Sequence, residues 1–265
     1  MSGWRECGPI FSPRDFVEYM LRRVGLGREE LDLGEVAVIT PISAMARRIC
    51  EHFGARRAER WLYRQGPALY NFEVEGVTVS ALPIPPGAPS LAYFEELIAL
   101  GVKHAVFTGS AGGLGADVRV GDYVVPCGAV CEDGLSQHYV PLGVPVEADG
   151  ELVEAMRRAC EDAGARAHVG RVWSIAAPYR ELRWKAEEYH RRWGCLAVEM
   201  EVGAFYTLAA YWSVRAVALL AISDLVYPRH SFDFHTEEYA RSVERVPEVL
   251  ERYLARALRS TSSAS

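Results

Sequence analysis

Lysine is nearly missing from this chain: Lys103 and Lys185 are the only two among 29 basic residues, and all the others are arginine. Genome composition or heat adaptation produces such a bias. No basic block occurs and the net charge is −6, so a surface for nucleic acid is not expected. No segment reaches the ~18 uninterrupted apolar residues of a membrane-spanning helix. Arg5 and Glu6 are not followed by the apolar core of a secretion signal. The expectation is a cytoplasmic protein that meets small molecules and neither membrane nor nucleic acid. Cysteines stand at 7, 50, 127, 131, 160 and 195 without a CxxC pair. No metal site is therefore expected, and the thiols read as buried. Internal repeats are absent as well.

What is present is enough apolar material for one sizeable core, since 50% of the 265 residues are hydrophobic. An amphipathic helix is expected over Phe16–Val24, within an N-terminal extension covering residues 1–34. Glu35–Thr40 reads as the first strand. Ala68–Glu73 and Val77–Leu82 read as a hairpin turning at Glu75-Gly76, and Pro83–Pro89 as a loop, with Ser90 capping a helix that ends at Gly101. Helices are expected over Glu151–Ala163, Tyr179–Arg192, Val202–Trp212 and Thr236–Leu258, and strands over Val169–Ile175 and Val214–Ile222. This alternation implies one α/β sandwich domain spanning 35–259, followed by a disordered tail at 260–265.

Three segments carry chemistry. Ala197-Val198-Glu199-Met200-Glu201 sets two carboxylates around a methionine just ahead of an apolar helix. A carboxylate there can accept from both hydroxyls of a vicinal diol, or it can simply cap the helix. His104–Phe107 reads as a buried strand running into a glycine-rich turn, Thr108-Gly109-Ser110-Ala111-Gly112-Gly113-Leu114, where backbone N–H groups and a hydroxyl can hold an anion. Ser223-Asp224 places an acid at the expected carboxyl end of a strand, the edge where α/β proteins bind ligands, although an Asp after a strand is also a common turn cap.

In order and spacing, TGSAGGL, Val120-Gly121-Asp122-Tyr123-Val124-Val125, AVEME and AISD resemble the successive signatures of one superfamily. It comprises the nucleoside phosphorylases and nucleosidases, including uridine phosphorylase, hexameric purine nucleoside phosphorylase and methylthioadenosine nucleosidase. The resemblance covers about residues 35 to 255. It implies a three-layer α/β/α sandwich with a central mixed, twisted sheet, and cleavage of an N-glycosidic bond. No cofactor is implied, phosphate being the co-substrate, and the homo-oligomer common in the family is a dimer-based hexamer. Glu201 would clamp the ribose hydroxyls, with Met200 beneath the sugar and Glu199 beside it. Asp224 would protonate or hydrogen-bond a purine leaving group. Gly109 and Ser110 would meet phosphate, and Gly112 the base.

Other segments resemble different members. Asp133-Gly134-Leu135-Ser136-Gln137-His138-Tyr139-Val140-Pro141-Leu142 is similar to the DGxSxHxxPL segment of uridine phosphorylases, which places His138 near the base. Together with Ala88-Pro89-Ser90 and Ala177-Pro178-Tyr179-Arg180-Glu181, it resembles a less characterised branch of nucleoside phosphorylases. There Tyr179 would stack on the base and Arg180 or Arg183 would take the place of a base-reading arginine. The chain departs from the phosphorylases at two guanidinium contacts: the loop after the first strand reads Thr40-Pro41-Ile42-Ser43, and Phe107 precedes the glycine-rich segment. Arg47, Arg48 and Arg64 are the candidate substitutes, Arg64 by reaching a neighbouring subunit. The catalytic glutamate of the nucleosidases aligns near Met45. Phosphorolysis is the expected reaction, with uridine-like and purine-like signals both present. Hydrolysis and a non-catalytic nucleoside-binding module are the alternatives.

Overall fold

The computed structural model describes residues 8–141 and 144–262. Cys7, Leu142 and the last three positions of the expected tail lie outside the described residues. The strands are β1 (Val36–Thr40), β2 (Arg56–Arg57), β3 (Tyr70–Val74), β4 (Val77–Pro83), β5 (His104–Leu114), β6 (Tyr123–Glu132), β7 (Val146–Glu147), β8 (Ala167–Ile175), β9 (Cys195–Glu199) and β10 (Arg215–Tyr227). The helices are α1 (Pro13–Val24), α2 (Ser43–Phe53), α3 (Ala92–Leu100), α4 (Gly150–Asp162), α5 (Arg183–Trp193), α6 (Val202–Trp212) and α7 (Glu237–Ser262).

Every residue of β1 is buried, which is why it reads as an unbroken apolar run: a strand with helices on both faces has no solvent side. Successive side chains enter opposite layers. Ala37 and Ile39 share a cluster with Leu21 of α1, Phe94 of α3 and Phe205 of α6, whereas Val36 and Val38 pack with Ile49 of α2 and Val246 of α7. This is the three-layer α/β/α sandwich with a mixed central sheet. The N-terminal helix belongs to it. A capping box between Ser12 and Asp15 starts α1, and Val17 and Leu21 are buried in the common core.

The strand order is β10-β6-β8-β9-β5-β1-β4-β3-β2, and β10 also pairs with β5, so β5, β10, β6, β8 and β9 close into a ring. Strand β5 changes neighbour along its length. His104–Phe107 pairs with β1, and Gly112 and Gly113 pair with β9. Between them Thr108–Ala111 meets no strand on that side among the described residues, while β10 flanks it on the other. A crevice opens where the sheet neighbours diverge, which is the usual ligand position in α/β sheets.

The glycine-rich segment expected to turn is therefore strand. Gly109, Gly112 and Gly113 have no positive φ. Crowding accounts for them instead: a Cβ on Gly112 would lie 2.6 Å from Val226, and one on Gly113 would lie 2.9 Å from Leu225, so side chains there would push β10 off β5. Strand β10 likewise runs past Asp224 to Tyr227, with a register shift between Ile222 and Asp224 that breaks the regular alternation at the acid. The hairpin turns at Glu75-Gly76, both at positive φ, as two-residue turns between twisted strands require. Helix α5 begins at Arg183, after a short 3-10 turn over Pro178–Arg180. Ser90 lies inside another such turn, Ala88–Leu91, and caps nothing. Helix α7 extends to Ser262, beyond Leu258.

Candidate active site

Glu199 ends β9 and Glu201 precedes α6, so the two carboxylates of AVEME stand at the helix N-terminus. Their surroundings differ. Glu199 Oε2 accepts from the backbone N–H groups of Glu201 (2.6 Å) and Val202 (2.7 Å), and Ser174 donates its hydroxyl to the other oxygen. Ser174 Oγ in turn accepts from Gly203 N at 2.7 Å. Glu199 thus caps α6 and is fully engaged. Glu201 is held differently: the Gly87 N–H donates to Oε1 at 2.5 Å, and the Met200 backbone N–H also favours its charged form. Burial pushes both carboxyls above their ordinary range, and for Glu199 the neighbouring Glu201 adds to the rise. Met200 is half-buried between them.

The first turn of α6 lies close on β6 and β8. A Cβ on Gly203 would fall 2.8 Å from Ser174 Oγ and 2.9 Å from both Asp133 Oδ2 and Cys131 Sγ. Gly203→Ala is therefore expected to destabilise the fold by about 1–3 kcal/mol despite alanine's better helix propensity. A lowered denaturant midpoint with an unchanged m-value would report this, and an unchanged midpoint would contradict the packing.

Asp224 pairs in register with Gly112, and a Cβ on that glycine would lie 3.5 Å from Asp224 Oδ2, an ordinary contact distance. Asp224 is 7% exposed, and its Oδ1 accepts from Ser223 Oγ at 2.7 Å. Burial raises its pKa above the usual carboxylate range, against the Ser223 hydrogen bond and His230, which favour the charged form. Ser110 shares the crevice, its Oγ 2.7 Å from the Tyr239 hydroxyl in the first turn of α7. Two residues earlier, on the same face of β5, the Thr108 hydroxyl is buried with no hydrogen-bond partner among the described residues.

The remaining sequence candidates lie around this centre unevenly. Tyr179 is 98% exposed, and Arg180 borders a groove of about 490 Å³ with Gln137, Leu182 and Lys185. His138 is exposed. The motif around it builds a loop: Asp133 accepts from Leu135 N, Ser136 N and Ser136 Oγ, and Thr207 of α6 donates to Ser136 Oγ. Arg48 is held by Glu51 (3.4 Å) and by Glu244 of α7 (3.0 Å). Arg47 is exposed on α2, whose N-terminus, beside the end of β1, has no side-chain cap. Arg64 is exposed along another groove with Tyr63, Arg57 and Arg60. Met45 is buried in the core. Among the described residues no group of three or more His, Cys, Asp or Glu could hold a metal ion, and no helix is long and apolar enough to cross a membrane.

Sequence reasoning missed Gly87, Ser174 and Tyr239. The positive φ of Gly87, 102°, has a signal in its Pro- and Gly-rich surroundings; the hydroxyls of Ser174 and Tyr239 carry none, because only the fold brings them in.

The model of the phosphorylase superfamily matches residues 35–255. The chain belongs to that superfamily. Among relatives of this superfamily member, the guanosine phosphorylase of Halorubrum lacusprofundi is 29% identical over 240 residues, covering 89% of this chain and 95% of its own. A DeoD-type purine nucleoside phosphorylase of Exiguobacterium sp. is 30% identical over 211 residues, or 76% of this chain and 85% of the relative. One from Streptococcus gordonii is 36% identical over 163 residues, covering 60% and 68%.

Proposed function

We propose that this phosphorylase-superfamily protein cleaves purine nucleosides with phosphate, giving free base and pentose 1-phosphate. The observation that carries the purine side is Asp224, a buried carboxyl with raised pKa on the strand that flanks the open stretch of β5. A carboxyl whose pKa is raised by burial holds its proton more readily than an ordinary carboxylate and can deliver it to a departing purine, and a purine accepts it at N7, an atom pyrimidines lack. The names of the relatives agree with this choice.

In this reading Glu201 Oε2 accepts from the ribose 2′- and 3′-hydroxyls while Gly87 fixes Oε1. Met200 lines the sugar. Glu199, already satisfied, is a positioning residue that holds the start of α6. Phosphate enters at the crevice, meeting the Gly109-Ser110 backbone, the Ser110–Tyr239 hydroxyl pair and the uncapped N-terminus of α2. Arg47 or Arg64 supplies further positive charge, Arg64 from a neighbouring subunit. The C1′–N9 bond breaks toward an oxocarbenium-like sugar, the base takes the bonding pair and the Asp224 proton, and a phosphate oxygen closes on C1′.

The test is a nucleoside panel assayed for base release with and without phosphate. Turnover is expected to rise with phosphate and to saturate weakly, since Arg48 is occupied and each charge-assisted contact is worth about 1.5–3 kcal/mol. Free ribose forming at the same rate without phosphate would replace phosphorolysis by hydrolysis. Nucleoside binding with no base release would make the protein a binding module.

A further inference from the structure

We infer that Ser174 is the positioning residue of the sugar clamp: its hydroxyl locks the first turn of α6 and so sets where Glu201 stands against a ribose diol. This rests on the reading of Glu201 as the ribose ligand and adds to it the residue that holds that ligand in place.

Three neighbouring strands build a seat for the helix. Cys131 of β6 pairs in register with Ser174 of β8, and Ser174 with Glu199 of β9. Residues in register point to one face of a sheet, so thiol, hydroxyl and carboxylate form a row. The first turn of α6 rests on it, a Cβ on Gly203 meeting Ser174 Oγ at 2.8 Å and Cys131 Sγ at 2.9 Å. The row depends on an irregularity in the pairing. Arg171 pairs with Cys195 and the next pair is Val172 with Ala197, which leaves Leu196 as an extra residue on β9. Without that residue Ser174 would stand opposite Val198, and Glu199 would fall opposite Ile175. Gly170 makes room for it: a Cβ there would lie 2.5 Å from Leu196 Cδ1. Bulges beside functional sites re-aim side chains, and this one brings the hydroxyl to the acid.

Ser174 is fully buried, donates to Glu199 Oε1 and accepts from Gly203 N at 2.7 Å. Glu199 Oε2 takes the N–H groups of Glu201 and Val202. Three successive amides at the start of α6 are thus fixed by two side chains, and the first of the three belongs to Glu201. Serine is the smallest side chain that donates and accepts through one atom. Alanine would leave the Gly203 N–H and one Glu199 oxygen buried and unpaired, and these two groups attract each other. A carboxylate drawn toward Gly203 carries the Glu201 and Val202 amides with it, which moves Glu201 relative to Gly87 and the sugar. Ser174 touches no substrate in this arrangement; it acts through Glu199 and the helix. A misplacement of about 1 Å in a group that orients substrate costs about 10²-fold in rate.

The test measures kcat/KM for inosine and for 2′,3′-dideoxyinosine, which offers Glu201 no hydroxyl, in the wild type, Ser174→Ala, Glu201→Gln and the double variant, all assayed below their melting transitions. Ser174→Ala is expected to lower kcat/KM on inosine by about 10–100-fold and on the dideoxy analogue by less than ~3-fold, and to add less than ~3-fold to Glu201→Gln. An equal loss on both nucleosides would mean a purely structural role, and no loss on inosine would mean that Glu201 is held without Ser174; either overturns the inference. Should Ser174→Ala fail to fold, Ser174→Cys, which keeps a side chain of similar size with a weaker donor, is read by the same split. A wild type that does not distinguish the two nucleosides removes the ribose clamp itself, and the inference with it. Base release without phosphate would defeat phosphorolysis alone, with the same split expected. If no base is released, calorimetric titration with the two nucleosides reads the clamp directly: the wild type should prefer inosine and Ser174→Ala should lose most of that preference, and a preference that survives unchanged overturns the inference.

Discussion

Glu201→Gln is expected to cut kcat/KM at least ~10²-fold, about 2.7 kcal/mol of lost transition-state stabilisation. The magnitude follows from the arrangement around one oxygen. Glu201 Oε1 is committed to Gly87 N, and in the proposed complex Oε2 serves the sugar. Glutamine has one acceptor and one donor. Keeping the Gly87 bond would point its NH₂ at two hydroxyls, and flipping would set NH₂ against the Gly87 N–H. Either way an acceptor is lost, toward the ribose or toward Gly87, along with the negative charge that steadies an oxocarbenium-like sugar. The loss should fall on kcat as well as KM. Activity within a few-fold of wild type, in a variant that melts normally, would remove Glu201 from the site.

Asp224→Asn is expected to remove about 10²–10⁴-fold of the activity on purine nucleosides, the range typical of a positioned general acid. The amide can still hydrogen-bond N7 and can still accept from Ser223, so the fold and ground-state binding should survive. It has no proton to give. The sign of the pH dependence is fixed by the protonation state required. Burial raises Asp224 above the usual carboxylate range, so the active protonated form is present below its pKa and is lost as pH rises through it. The wild-type profile should fall on the alkaline side, and Asp224→Asn should lose that limb. Unchanged purine turnover would leave Asp224 a structural acid bonded to Ser223.

The parts of this protein that could be read from the sequence are those whose causes are local. AVEME announces a carboxylate at a helix start because the strand, the acid and the helix are consecutive in the chain. The alternation of apolar runs with amphipathic stretches gave the layers. The glycine-rich segment was misread because a glycine that permits a turn and a glycine that admits a neighbouring strand look identical; Val226 and Leu225, which decide the matter, lie on β10. The same limit hides the partner of Glu201, since Gly87 is 114 residues away, and that of Ser110, since Tyr239 is 129 residues away. Arg48 shows the converse. Its position beside the first strand suggests an anion ligand, and the fold instead gives it Glu244.

The closed ring has a further consequence, for how the protein behaves in a crowded solution. A sheet grows by accepting strands from other molecules along unpaired edges. Here five strands satisfy one another, and the strands at the ends of the network, β2 and β7, are two residues each. Strand β2 consists of Arg56 and Arg57, both exposed. An edge that short offers few free N–H and C=O groups, and its paired positive charges repel an identical copy brought alongside. The topology that opens a crevice at β5 thereby also leaves little template for cross-strand aggregation.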